Sequence, residues 1–270
     1  MKTRIRTAVI LLPVLMLVIW VLPKIVAAVL VGAMGAVAGY ELLVSAGYVR
    51  HKRLMIYCAV AAFGVALWSH FGAEQVWGTL GLMVFVGVLF VEMMCNHVKV
   101  RFEKLCICLM AGIVVPYLLS ALVRILGTYT GRYTIAIPFL MAFLSDSGAY
   151  FAGKYLGRHK LAPVVSPNKT VEGALGGLLV ALVGMGLYAV ILDLAFGRTV
   201  DYGLALLYGF LGAGADIFGD LMFSAIKRQV GIKDYGTLFP GHGGILDRFD
   251  SLVMVAPLME VLLILLPVVK

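Results

Sequence analysis

The chain has 270 residues, 62% of them hydrophobic and only 13% charged. Soluble domains run to roughly 45–50% apolar residues, so too few polar residues remain here to cover a water-soluble core. The net charge of +8 does not signal nucleic acid, because the cations sit in short loops between hydrophobic segments, where membrane topology and anionic headgroups account for them.

Lys2, Arg4 and Arg6 precede the first apolar run, and hydrophobic sequence resumes directly after Pro23-Lys24. The run therefore reads as a retained first helix, about residues 8–22, rather than a cleaved signal peptide. Further spans are expected near 25–46, 54–70, 76–94, 105–125, 133–152, 172–195, 202–223 and 250–268. The fold class is thus all-α, a polytopic integral membrane protein of about nine transmembrane helices in one membrane domain, 1–270. With the N-terminus inside, the inner loops carry Arg50 to Arg53, Lys99 to Lys104, Lys154 to Lys169 and Lys227 to Arg248. The outer loops hold only Lys24, Arg124, Arg132 and Arg198. That alternation follows the positive-inside rule and sets the polar motifs on the cytoplasmic face of the inner membrane. Cys58, Cys95, Cys106 and Cys108 form no Cys-x-x-Cys pair and read as apolar fillers. Gly35/Gly39 and Gly173/Gly177 have the spacing of close helix contacts. Glu41, Glu92 and Glu103 fall near inner helix ends, where loop cations are the expected partners.

Residues 145–173 form the first polar cluster. Asp146 falls inside a hydrophobic segment, where an ionised carboxylate needs a partner. Ser-Pro-Asn-Lys-Thr-Val-Glu-Gly (166–173) then opens the seventh helix, with Ser166, Asn168 and Thr170 as candidate N-caps and Glu172 suited to a first turn. Helix capping does not explain Lys169, a cation at the positive end of a helix dipole; a phosphate bound there would. The second cluster is on the eighth helix, where Asp216, Asp220 and Ser224 recur at i, i+4 and i+8 and share one face. Two carboxylates one turn apart repel unless a cation lies near them. With Asp247 arriving from the following loop, a metal is expected on Asp216, Asp220 and Asp247, and an all-oxygen set favours Mg²⁺, with a second cation left open.

The third cluster runs from Ser224 to Asp250 and holds Lys227, Arg228, Lys233, Asp234, His242, Asp247 and Arg248. Gly241, Gly243 and Gly244 flank His242, so backbone N–H groups can cradle an anion beside it. Cations, carboxylates and glycines in one loop between hydrophobic segments indicate phosphate handling at a membrane surface.

This last stretch resembles the signature of the CDP-diacylglycerol synthase (phosphatidate cytidylyltransferase) family. Ser-x-x-Lys-Arg is filled by Ser224, Lys227 and Arg228, Lys-Asp by Lys233 and Asp234, and His-Gly-Gly-x-x-Asp-Arg-x-Asp by His242, Gly243, Gly244, Asp247, Arg248 and Asp250. Ser145-Asp146, the 166–173 run and Gly219-Asp220 also look like family motifs. The resemblance is strong over the catalytic half, 133–270; residues 1–100 match only in hydrophobic character. It implies a membrane enzyme, commonly dimeric, that converts CTP and phosphatidic acid to CDP-diacylglycerol and pyrophosphate. It also implies a metal centre on the aspartates that correspond to Asp220 and Asp247. Catalytic roles are then expected for Asp220, Asp247, Lys227, Arg228, His242 and Arg248. Substrate contacts are expected from Ser145, Asp146, Ser166, Asn168, Lys169, Thr170, Glu172, Ser224, Lys233, Asp234, Gly243, Gly244 and Asp250.

Two rivals fit less well. A CDP-alcohol phosphatidyltransferase would carry Asp-x-x-Asp-Gly-x-x-Ala-Arg before Gly-x-x-x-Asp-x-x-x-Asp, and only the closing fragment, Gly212 to Asp220, is present. A transporter built on intramembrane aspartates would show internal repeats and midplane acids, whereas the acids here gather near one face.

Overall fold

The computed structural model describes residues 23–45, 47, 49, 51–72, 74–238 and 243–269. The expected helix at 8–22 and the expected donor His242 lie outside the described residues. Helices dominate the rest, as hydrocarbon demands, because a helix satisfies its backbone N–H and C=O groups within one segment. The chain is an all-α polytopic membrane protein, and among the described residues seven helical stretches are long and apolar enough to cross a membrane. It divides into two compact units, Met1–Gly127 with Val230–Phe249, and Thr128–Gln229 with Asp250–Lys270.

In the first unit, α1 (Lys24–Ser45), α2 (Lys52–Phe71) and α3 (Gln75–Cys95) precede a broken helix. The break runs through α4 (Phe102–Leu109), a π-helical turn (Met110–Val114), α5 (Val115–Leu119) and α6 (Ala121–Gly127). Pro116 has no N–H to donate, so the hydrogen-bond ladder widens before it and is interrupted after it. The Ser120 hydroxyl and amide both bond back to Pro116 O, at 2.7 and 2.8 Å. α1 packs on α2 and on the broken helix. A Cβ at Gly39 would stand 2.5 Å from Ala111 O, and one at Gly35 would meet Pro116, so this small-residue spacing is a real helix contact. Glu92, buried at the end of α3, accepts from Asn96 Nδ2 at 2.9 Å and faces Arg53 at 3.9 Å, the expected loop-cation pairing. The short α11 (Leu246–Phe249) closes the unit against α1.

In the second unit, α7 (Gly131–Thr134) leads into α8 (Ala136–Leu156). An antiparallel hairpin of β1 (Lys160–Ala162) and β2 (Ser166–Thr170) follows, with Lys160 opposite Thr170 and Ala162 opposite Ser166. Then come α9 (Val171–Phe196), α10 (Tyr202–Gln229) and α12 (Leu252–Leu265). α8 and α9 pack along a seam of small residues. A Cβ at Gly173 would lie 2.9 Å from Ala149 O and one at Gly177 2.6 Å from Ser145 O, which confirms the expected contact. Gly197 ends α9 at φ 60°, a left-handed cap that a side chain would strain. α10 packs on α9, α12 and α8.

Three boundaries differ from the sequence reading. α10 does not stop near 223 but continues to Gln229, so Lys227 and Arg228 are helical residues of its last turn. Cations complement the negative end of the helix dipole there, which lets a helix outrun its apolar stretch. The last span shortens from 250–268 to Leu252–Leu265; beyond it Val269 pairs with Val200, and Asp201 N donates to Val268 O at 3.1 Å. Residues 166–170 do not open a helix but form β2, and Thr170 is the N-cap, its Oγ1 accepting from Gly173 N at 3.0 Å.

Candidate active site

In the second unit Asp146, Asp216, Asp220, Asp250, Lys169 and Lys227 gather where β2, α8, α10 and the start of α12 meet. Lys169 on β2 forms an ion pair with Asp220 Oδ2. Asp220 Oδ1 accepts from Ser224 Oγ, one turn along α10, at 3.1 Å. Arg228 Nε donates to Val165 O at 3.1 Å, so the hairpin is fastened to α10 at its tip as well as through Lys169. Lys169 stands at the positive end of α9, and its counter-charge within the protein is Asp220, which reaches it from α10.

Glu172 serves the same hairpin. Its carboxylate accepts from the backbone N–H of Arg158 at 3.0 Å and of His159 at 3.1 Å, and meets His159 Nδ1 at 2.6 Å. Its partners are therefore loop backbone and a histidine. Ser166 and Asn168 lie on β2, half-buried and exposed respectively. Glu172→Ala should leave the helices folded but free the loop: limited trypsin digestion is expected to cut after Arg158 or Lys160 faster than in wild type. Equal cleavage rates would count against the clip.

Asp216, one turn before Asp220, is 2% exposed. Neither its Oδ1 nor the fully buried Ser145 Oγ sits in a well-formed hydrogen bond, although the Ser145 and Ser251 hydroxyls are near enough to the carboxylate to act on it as donors. Asp146 and Lys169 act on Asp216 through space. Asp250 is also buried; it accepts from Ser251 N at 2.9 Å and feels Asp220, Lys227 and Asp146. The Asp250–Ser251 elbow lies directly on α10, where a Cβ at Gly219 would stand 3.0 Å from Asp250 O, and Ser251 Oγ donates to Asp216 O at 3.3 Å. Four carboxylates thus share a neighbourhood with Lys169 and Lys227.

Among the described residues no three His, Cys, Asp or Glu side chains close into a ready ligand cluster. The donors nonetheless fit Mg²⁺. That ion takes one or two carboxylates and fills its shell with water and substrate phosphates, and the buried Oδ1 of Asp216, outside any well-formed hydrogen bond, is an oxygen such an ion could take.

In the first unit the polar loop between α10 and α12 carries Lys233, Asp234 and Arg248, all exposed, and Asp247, buried. Asp247 Oδ2 accepts from Tyr235 N at 2.7 Å and Gly244 N at 3.0 Å. Gly243 has φ 81°, and a Cβ there would lie 2.7 Å from Asp247 Oδ2, so only glycine allows this turn to wrap the carboxylate. Glu41 joins from α1, accepting from Ile245 N at 3.0 Å and Leu246 N at 2.8 Å. Its partners are backbone amides, not the loop cations expected of it. Tyr235, Gly236 and Glu41 were not legible as site residues. The one available signal was Glu41 itself, an acid inside an apolar helix.

The family model for cytidylyltransferases matches residues 2–266. The chain belongs to the cytidylyltransferase family. Within curated proteins, it is 45% identical over 134 residues to the phosphatidate cytidylyltransferase of Staphylococcus aureus (strain COL), covering 50% of each chain. The Staphylococcus haemolyticus protein of that name is 43% identical over 134 residues, again 50% of each chain. That of Staphylococcus epidermidis is 44% identical over 133 residues, 49% of each. The match thus spans about half the length of these relatives. Family membership accounts for the signature from Ser224 to Asp250 on a membrane-helix framework.

Proposed function

We propose that this chain is a phosphatidate cytidylyltransferase, moving CMP from CTP to phosphatidic acid to give CDP-diacylglycerol and pyrophosphate. The observation that carries the reading is the grouping of Lys169, Lys227 and four carboxylates along the second half of α10, in a chain of membrane-spanning helices. Both substrates are anions and one is a lipid, so a site of this kind answers the two demands together. Membership of the cytidylyltransferase family and relatives bearing this activity in their names support it. The cation-rich loops favour an active site on the cytoplasmic face of the inner membrane, where CTP is available. The working form is proposed to be a homodimer.

The chemistry is a substitution at the α-phosphorus of CTP. A phosphate oxygen of the lipid forms the new P–O bond, the bond from the α-phosphorus to the bridging oxygen breaks, and the electron pair leaves with pyrophosphate. The attacking oxygen is already deprotonated at neutral pH, so no general base is required. Charge neutralisation and alignment supply the catalysis. On the second unit Lys169, Lys227 and Arg228 are assigned to substrate phosphates; on the first, Lys233 and Arg248 of the polar loop are assigned the same role. Gly243, in the turn that wraps Asp247, is assigned to offer its backbone to the same purpose, while Gly244 N serves Asp247 itself. Mg²⁺ is assigned to Asp220, with Asp216 in support, on the second unit and to Asp247 on the first, and would neutralise the triphosphate and the departing pyrophosphate.

The test is an assay of the purified full chain in mixed micelles containing phosphatidic acid, with CTP labelled at the α-phosphorus. Label should enter the organic phase with one pyrophosphate released per label transferred, and only with Mg²⁺ present. Release of CMP in place of pyrophosphate, or no organic-soluble label, would refute the reading.

A further inference from the structure

Glu41 belongs to α1, in the half of the chain that carries none of the signature, yet its carboxylate reaches the signature loop. It accepts from Ile245 N at 3.0 Å and Leu246 N at 2.8 Å, the residues that lead into α11 and so into Asp247 and Arg248. The side chain is 5% exposed, so both bonds are shielded from water. Hydrogen bonds from N–H groups to a buried carboxylate are charge-assisted and stronger than neutral ones.

The loop is built around this acid. A Cβ on Gly236 or on Gly244 would collide with the Glu41 carboxylate where it stands, so the acid keeps this position because both residues are glycines. Asp247 completes the arrangement from inside, accepting from Tyr235 N and Gly244 N. Two carboxylates therefore take four backbone N–H groups of one loop between them, at Tyr235, Gly244, Ile245 and Leu246. If Glu41 lets go, the backbone directly after Gly244 loses its outer support, and the orientation of Asp247 is lost with it.

We propose that Glu41 is a positioning residue for the proposed reaction: it fixes the backbone of Gly244 to Leu246 and through it aims the Asp247 carboxylate. This inference rests on the cytidylyltransferase reading for its catalytic consequence, but its structural half stands by itself. Glutamine is a poor substitute, since its amide presents one acceptor and one donor, and the donor would face a backbone N–H. Aspartate keeps the charge on a side chain one methylene shorter.

The test compares wild type, Glu41→Gln and Glu41→Asp as purified full chains. Hydrogen exchange read by mass spectrometry should show the 243–247 segment exchanging about tenfold faster in Glu41→Gln, with α8 and α9 unchanged. In the transfer assay, kcat should fall by up to about 10²-fold, the scale expected of a slightly misplaced group. The Mg²⁺ concentration for half-maximal rate should rise about tenfold, while KM for phosphatidic acid stays put. Glu41→Asp should recover part of both effects, and decides the matter if Glu41→Gln does not accumulate folded. Unchanged exchange in the loop overturns the proposal. So does a lower kcat with wild-type Mg²⁺ dependence, which marks mere loss of folded protein. A loosened loop with wild-type kinetics overturns it as well. If wild type itself transfers no cytidylyl group, the proposed activity fails, and the exchange comparison alone judges Glu41.

Discussion

Asp220→Asn should lower transfer of α-labelled CTP into organic-soluble product by roughly 10²–10³-fold, the cost of removing one preorganised electrostatic contact from a reacting centre. The exchange is nearly isosteric. Asparagine still offers an oxygen to Ser224 Oγ, so the 3.1 Å hydrogen bond within α10 has a replacement. What disappears is the charge that faces Lys169. Asp220 is 25% exposed on its side chain, so its neutralisation should leave the fold intact and the thermal midpoint close to wild type. Two roles for Asp220 make different predictions. If it only holds Lys169 in place, then Asp220→Asn, Lys169→Gln and the double variant should all lose the same activity. If it also serves a cation, Asp220→Asn should cost more than Lys169→Gln, and the double variant more than either alone. Double-mutant analysis reads this difference directly, because the two side chains touch. An Asp220→Asn enzyme within a few-fold of wild type would remove Asp220 from the reaction altogether.

The spans were legible because hydrocarbon leaves a chain few options: long apolar runs become helices, and their approximate ends follow from loop charges. The carboxylate face of α10 was legible for a similar reason. Asp216, Asp220 and Ser224 recur at helical spacing, and acids in an apolar helix stand out. Contacts between distant segments were not legible. Nothing in local sequence says that Lys169 answers Asp220 or that Arg228 ties down Val165, since each pair joins residues about 50–60 positions apart through a hairpin whose five-residue strand reads as a helix cap. Glu41 shows the limit most clearly. An acid near a helix end and a cluster of loop cations invite an ion pair, but the geometry gives the acid to backbone amides at Ile245 and Leu246. Backbone donors have no sequence signal, and only Gly236 and Gly244, bare where the carboxylate passes, betray the contact afterwards.

The second large effect concerns Asp216 and is read in stability rather than rate. A carboxylate 2% exposed, with Oδ1 outside any well-formed hydrogen bond and Asp146 acting on it, is costly to bury in its charged form unless a cation lies against it. Lys169 acts on it too, but that ammonium is already paired with Asp220. A divalent ion that binds the folded chain stabilises it by mass action, by about 2.7 kcal/mol at a concentration a hundredfold above its Kd. For a chain of this size such a gain moves a thermal midpoint by roughly 5–10 °C. Purified protein stripped with chelator should therefore unfold at lower temperature than protein in excess Mg²⁺. Asp216→Asn should respond in two ways at once. Without Mg²⁺ its midpoint should match or exceed that of wild type, because the repulsion from Asp146 is gone. With Mg²⁺ the upward shift should shrink, because the oxygen that wants the ion has lost its charge. An equal Mg²⁺ shift in wild type and Asp216→Asn would show that the buried oxygen is not where the ion acts, and no shift in either would withdraw the cation from this part of α10.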